Sequence, residues 1–173
     1  MKNLLLIVLL LSVGFSQQKK SDEPNPMKGV KTQTISNYDY EEKFGEFEEI
    51  LIDKLIYKYD SNGNMVELSS YDSDGSLMRK YISKYDSNGN NVELSSYDSD
   101  GSLFMKYISK YDSNGNKVEW LEYDLLGSLS GKSIYKYDSK NRIIESISYD
   151  LESKFGELQE IPTKKTIYQY EEY

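Results

Sequence analysis

The sequence predicts an all-β protein: an antiparallel meander of about ten strands, built from tandem 26-residue double hairpins in a curled open sheet. Three observations predict it. The stretch from Lys58 to Ser83 is followed at once by a near copy, Lys84 to Ser109, then by a third copy from Lys110 and a worn fourth from Lys136. A turn-forming Tyr-Asp recurs at alternating spacings of 12 and 14 residues from Tyr59 to Tyr149. Between turns, side chains alternate with the two-residue period of a strand, and a turn this frequent would break any helix.

The chain has 173 residues, which suits one ordinary domain. Met1 to Ser16 reads as a secretory signal peptide, with Lys2 at its start, an apolar core from Leu4 to Val13, and Gly14 and Ser16 before the cut. That run is too short to span a bilayer as a helix, so the mature chain is expected not to span a membrane. The expected location is exported: periplasmic, extracellular or at the cell surface. Residues 17–29, polar and carrying Pro24 and Pro26, read as a disordered leader. Residues 30–173 read as a single β-repeat domain.

Each internal Tyr-Asp opens the same local chemistry. Asp60-Ser61-Asn62-Gly63 and Asp72-Ser73-Asp74-Gly75 spell a type I turn whose Gly takes positive φ. In the fourth copy, Asp138-Ser139-Lys140-Asn141 puts Asn where Gly stood, the next most tolerant residue. In the long segments an Ile, such as Ile82 or Ile108, lies three before the Tyr. In the short ones Val66 and Leu68, Val92 and Leu94, and Val118 and Trp120 lie five and three before it. Odd offsets place aliphatics opposite the Tyr, predicting one face of Ile, Val, Leu and Trp120 and another of Tyr, Ser and Glu. The ten marker tyrosines, Tyr38 to Tyr170, are each expected to end a strand.

The ends match each other. Tyr38 to Ile50 aligns with Tyr149 to Ile161 at an offset of 111, which still holds at Tyr59 and Tyr170. Lengthened hairpins at 38–59 and 149–170 therefore cap the array, protecting edges that a closed barrel would not have.

Composition excludes several function classes. The chain has no Cys and no His, which removes thiol chemistry, disulfides and the usual metal ligands and general base. Its net charge of −8 argues against a phosphate-tracking groove, so no nucleic-acid partner is expected. Asp60-x-Asn62-x-Asn64 has Gly at the wrong place for a calcium loop, so no metal and no cofactor are expected. Carboxylates recur with every repeat and mark no single place, so no enzyme and no catalytic residue is expected. An outer-membrane barrel needs an unbroken apolar band, and Lys80, Lys84, Lys106 and Lys110 interrupt it.

Tandem Tyr-Asp-x-x-Gly, preceded by aromatic-x-Tyr-Asp as in Tyr57-Lys58-Tyr59-Asp60, resembles the YD repeats of Rhs-type bacterial surface and toxin proteins and of teneurins. The likeness covers about Tyr38 to Tyr173. It implies extracellular hairpin arrays forming shells or adhesive surfaces, with carbohydrate binding suggested. Where that family often has Arg-Leu after the Gly, this chain has Asn64 and Ser76. A MORN-like hairpin array is a second resemblance.

The binding candidates are the tyrosine rows. Tyr59, Tyr85, Tyr111 and Tyr137 should line one end of the sheet and Tyr71, Tyr97, Tyr123 and Tyr149 the other. Neighbours in a row stand two strands apart, about 9.5–10 Å. Asp86 and Asp112 lie beside the first row. Aromatic platforms flanked by acceptors suit a sugar chain, so the expected function is a secreted or cell-surface, ligand-binding module with a glycan partner. The alternative is a self-associating structural or matrix protein. Within the row, Tyr85 and Tyr111 are expected to dominate.

Overall fold

Among the described residues, the repeat chemistry produces ten strands joined by tight turns, and nothing else of regular structure. A computed structural model describes residues 25–154 and 157–173; the signal peptide expected at Met1 to Ser16 lies outside them. In chain order the strands are β1 (Thr32–Lys43), β2 (Glu46–Tyr59), β3 (Met65–Asp72), β4 (Leu77–Tyr85), β5 (Asn91–Asp98), β6 (Leu103–Tyr111), β7 (Lys117–Tyr123), β8 (Leu129–Tyr137), β9 (Ile143–Lys154) and β10 (Glu157–Ile167). They form one antiparallel sheet in sequence order, and β1 does not pair with β10. The meander is open, as the sequence predicts. Each strand contacts only its sequence neighbours, so among the described residues no second layer covers either face.

The turns close as their residues dictate. At Asp86 the carbonyl accepts the Gly89 N–H at 3.1 Å and the Asp86 N–H donates to the Asn90 carbonyl at 3.0 Å. Gly89 has φ +85°, a conformation costly for any side chain. Asn141, standing in for Gly, has φ 60°. After each turn one residue bulges out: Tyr85 pairs with Asn91, but Lys84 pairs with Glu93.

That bulge corrects the expected faces. Aliphatics do lie opposite the tyrosine within each strand. The one-residue slip, however, places Leu94 opposite Ser83 and Ile82 opposite Ser95. Pairing a bulged strand shifts every following side chain to the other face. The leucines of the short strands therefore join the tyrosines of the long strands, while the isoleucines join lysine and glutamate. One face, the leucine face, carries the core: Leu55, Leu68, Tyr81 and Leu94, with Tyr57, Met65 and Tyr107 packed against them. Ser70, Ser83, Ser96, Ser109 and Ser133 are buried between these taller neighbours on the same face. The other, the lysine face, carries Lys58, Glu67, Lys80 and Ile82 and their repeats.

The register also drifts. Lys58 pairs with Glu67, which pairs with Ile82, whereas the repeat equivalent of Lys58 is Lys84, two residues further on. Equivalent residues are thus displaced along the strand as well as across it. Their spacing becomes about 12 Å, longer than a straight row of alternate strands would give.

The ends are built differently, and here the expected strand ends need correction. β1 and β9 do not stop at Tyr38 and Tyr149 but run on to Lys43 and Lys154, because no Asp-x-x-Gly turn follows. β10 stops at Ile167, before Tyr170. The first hairpin turns on Phe44 and Gly45, both at positive φ (55° and 85°), the two-residue turn that suits strand twist. Both outer pairings carry a register shift, at Asn37/Tyr38 and at Pro162/Lys164. Bulges, acidic side chains and an edge proline all discourage further strand addition. Residues 25–29, the end of the expected leader, form a turn whose Asn25 side chain donates to the Gly63 carbonyl at 3.0 Å.

Candidate functional site

The tyrosine row of the long strands is placed at one end of the sheet, but its hydroxyls are engaged within it. Tyr85 donates to the Met65 carbonyl at 2.9 Å, Tyr111 to Asn91 at 2.8 Å and Tyr137 to Lys117 at 2.8 Å. Tyr59 donates to the Gln33 side chain at 2.9 Å. Each ring staples the end of a long strand to the strand before it. Burial pushes the Tyr85 and Tyr111 hydroxyls above the ordinary phenol value.

Asp86 and Asp112 are likewise engaged. One Asp86 oxygen accepts the backbone N–H groups of Asn88 and Asn90, each at 2.9 Å, and the other accepts the Asn90 side chain at 2.9 Å. Asp112 repeats the pattern with Asn114 and Asn116. Partial burial pulls both carboxyls upward, but these donors outweigh it and hold both below the usual carboxylate value. The carboxylates close turns, and the remaining acceptor capacity beside the rings is small.

A different place breaks the repeat. On the leucine face the second copy has Phe104, Met105 and Tyr107; the third has Ser130, Gly131 and Ser133 at the same positions. Three large side chains become small within one strand. On the strand before, Leu94 becomes Trp120 and Ser96 becomes Glu122. The outcome is a hollow of about 320 Å³ lined by Trp120, Glu122, Gly131, Ser133, Ser148 and Asp150.

Its geometry follows from the register. Glu122 lies opposite Gly131, which lies opposite Asp150, so two carboxylates flank a residue with no side chain. A Cβ at Gly131 would sit 3.4 Å from Glu122 Oε2, showing that the glutamate leans over the gap. Trp120 lies opposite Ser133 on one side. On the other it stacks on Tyr107, with ring centroids 4.9 Å apart and planes at 15°. One indole face is covered and the other looks into the hollow. The Ser133 and Ser148 hydroxyls share a hydrogen bond of 3.2 Å on the floor. Burial raises the Glu122 carboxyl above its ordinary value. The hollow thus combines one apolar platform with two acceptors and two hydroxyls that can give or take a proton.

This constellation was missed by reading the repeat as uniform. The signal that finds it is the comparison of equivalent positions between copies, where five changes in two neighbouring strands fall on one face. Among the described residues no three acidic side chains converge as a metal site would require.

A family model described as a protein of unknown function, DUF2963, matches residues 78–121, less than half of the chain. No curated protein matches. Among solved structures, a protein of unknown function from Bacteroides fragilis is 19% identical with a TM-score of 0.45, covering 79% of this chain and 93% of that one. A porin-like protein from Bacteroides uniformis is 10% identical with a TM-score of 0.32, covering 78% and 85%. A TcdB2–TccC3–Cdc42 structure is 13% identical with a TM-score of 0.26, covering 78% of this chain and 10% of that chain.

Proposed function

We propose that this chain is an exported, non-enzymatic binding module whose hollow on the leucine face takes a neutral carbohydrate. The observation that carries this reading is the local loss of Phe, Met and Tyr beside a newly introduced Trp120 and Glu122. In a sheet with little core to spare, three large-to-small changes sacrifice packing, and a ligand accounts for that sacrifice. A sugar ring presents an apolar face of C–H groups that matches the open indole face. Its hydroxyls donate to Glu122 and Asp150 and exchange hydrogen bonds with Ser133 and Ser148. Two carboxylates disfavour an acidic sugar through like-charge repulsion, so the ligand is neutral. The YD-repeat resemblance and the apolar run at the N-terminus support the same reading of a surface or extracellular setting.

The test refills the hollow with the residues that the preceding copy uses. Gly131→Met with Ser133→Tyr restores the pattern of Met105 and Tyr107, so folding is favoured while the site is closed. Binding to a panel of neutral polysaccharides, measured by glycan array and titration calorimetry, should be lost in this variant and in Trp120→Ala. A refilled protein that binds as the native one does would remove the hollow from consideration.

A further inference from the structure

The lysine face holds a second regularity that the hollow does not use. Each glutamate of a short strand is shared by two lysines from the strands on either side. Glu67 meets Lys58 at 2.9 Å and Lys80 at 3.3 Å. Glu93 meets Lys84 at 2.9 Å and Lys106 at 3.2 Å. Glu119 joins Lys110 and Lys132. Glu145 meets Lys136 and Lys165, each at 2.7 Å. The Glu67, Glu93 and Glu145 triads each have two cations and one anion and so leave one unbalanced positive charge; at Glu119 the extra lysine, Lys132, is balanced by Glu160 at 2.6 Å. This happens on a chain whose net charge is −8. The cationic excess is gathered on one face, one charge at each of three triads, with equivalent residues of successive repeats about 12 Å apart along the drift of the register.

Tyrosines accompany the charges. Tyr71 lies opposite Lys54, Tyr97 opposite Lys80, Tyr123 opposite Lys106 and Tyr149 opposite Lys132, all on this face. Lys54 Nζ sits 5.0 Å above the Tyr71 ring and Lys132 Nζ 5.9 Å above that of Tyr149. Each repeat therefore sets an aromatic ring beside a lysine.

We propose that the lysine face is a docking surface for an acidic polysaccharide, a linear chain with carboxylates spaced along neutral rings. Charge density selects this occupant. Duplex DNA carries one charge per about 1.7 Å of axis, and its binders cluster Lys and Arg accordingly. An anionic bilayer is read by clusters of about four to eight adjacent basic residues. At most one net charge per repeat, half-shielded by a glutamate, matches neither. It does match a polymer with sparse charges and apolar ring faces, which gains by engaging several repeats at once. The two faces of the sheet then sort ligands by charge, neutral sugar on one and acidic polymer on the other.

The experiment titrates the intact mature protein with polygalacturonate, with dextran, duplex DNA and phosphatidylglycerol vesicles as comparisons, folding being checked by circular dichroism. Polygalacturonate should bind, more tightly than DNA or vesicles, and lose affinity as salt is raised. Lys84→Gln with Lys110→Gln should weaken it by about fivefold, the order expected when two of several exposed charge contacts are lost. Glu93→Gln with Glu119→Gln should tighten it, a gain that a purely structural ladder would not give. The refilled hollow, Gly131→Met with Ser133→Tyr, should leave it unchanged, which separates this surface from the neutral site. Absence of binding at low salt, indifference to the lysine pair, weakening in the glutamate pair, or equal binding to DNA or vesicles would each overturn the proposal.

Discussion

Glu122 is a serine-to-glutamate change set into a half-buried position, and its carboxyl shows what that position costs. Burial raises its pKa above the ordinary value of 4.5. The folded state then holds a proton that the unfolded state has released. Stability must fall as pH rises from the unfolded pKa through the raised folded one. Glu122→Gln removes this fall. We expect the variant to melt higher than the native protein at pH 7, and the difference to vanish once pH lies below the ordinary carboxylate range. Melting curves across pH check it; an unchanged or lowered melting temperature at pH 7 would show that burial does not penalise this carboxylate. The tyrosines behave otherwise. Tyr85 and Tyr111 spend their hydroxyls on backbone carbonyls, so their contribution is to hold strand ends together.

At the scale of the element, the lysine–glutamate triads run the opposite pH dependence. Burial alone would raise Glu93, but hydrogen bonds and charge from Lys84 and Lys106 outweigh it and lower its pKa. Stability from this group is present above the unfolded carboxylate pKa and is lost as pH falls through the lowered folded one. Glu93→Gln should therefore lower the melting temperature at neutral pH and matter progressively less in acid, measured as the difference between native and variant curves. How the strands pair also decides what the sequence could disclose. Strand count and turn type were legible because Asp, Gly and the 26-residue repeat are local or self-referring signals. Faces were not, since a single bulged residue after each turn, Val92 between Asn91 and Glu93, inverts the pattern that alternation alone predicts. The hollow was hidden for a related reason. Trp120 and Gly131 look like noise in a worn repeat until the pairing sets Glu122, Gly131 and Asp150 in one line.

The whole molecule is a one-dimensional stack, because each strand contacts only the strands before and after it. Stability should then be close to a sum over repeats and their interfaces. Deleting residues 84–109 joins Ser83 to Lys110 and removes β5 and β6 as one complete double hairpin. Every remaining strand keeps its direction, and β4 takes over the place of β6 beside β7. The variant should stay folded, melt lower, and show a smaller denaturant m-value, since less surface is exposed on unfolding. Deleting only one strand with its turn reverses all that follows and should not fold. The same splice puts Tyr81 opposite Glu122 where Tyr107 stood, so Trp120 keeps a stacking partner of the same kind and the hollow survives. One lysine triad, that of Glu93, is lost. The shortened protein is therefore expected to bind a neutral glycan as before and polygalacturonate more weakly. A splice that unfolds, or that folds and loses both activities together, would show that the repeats are not independent and that the two faces are not separate sites.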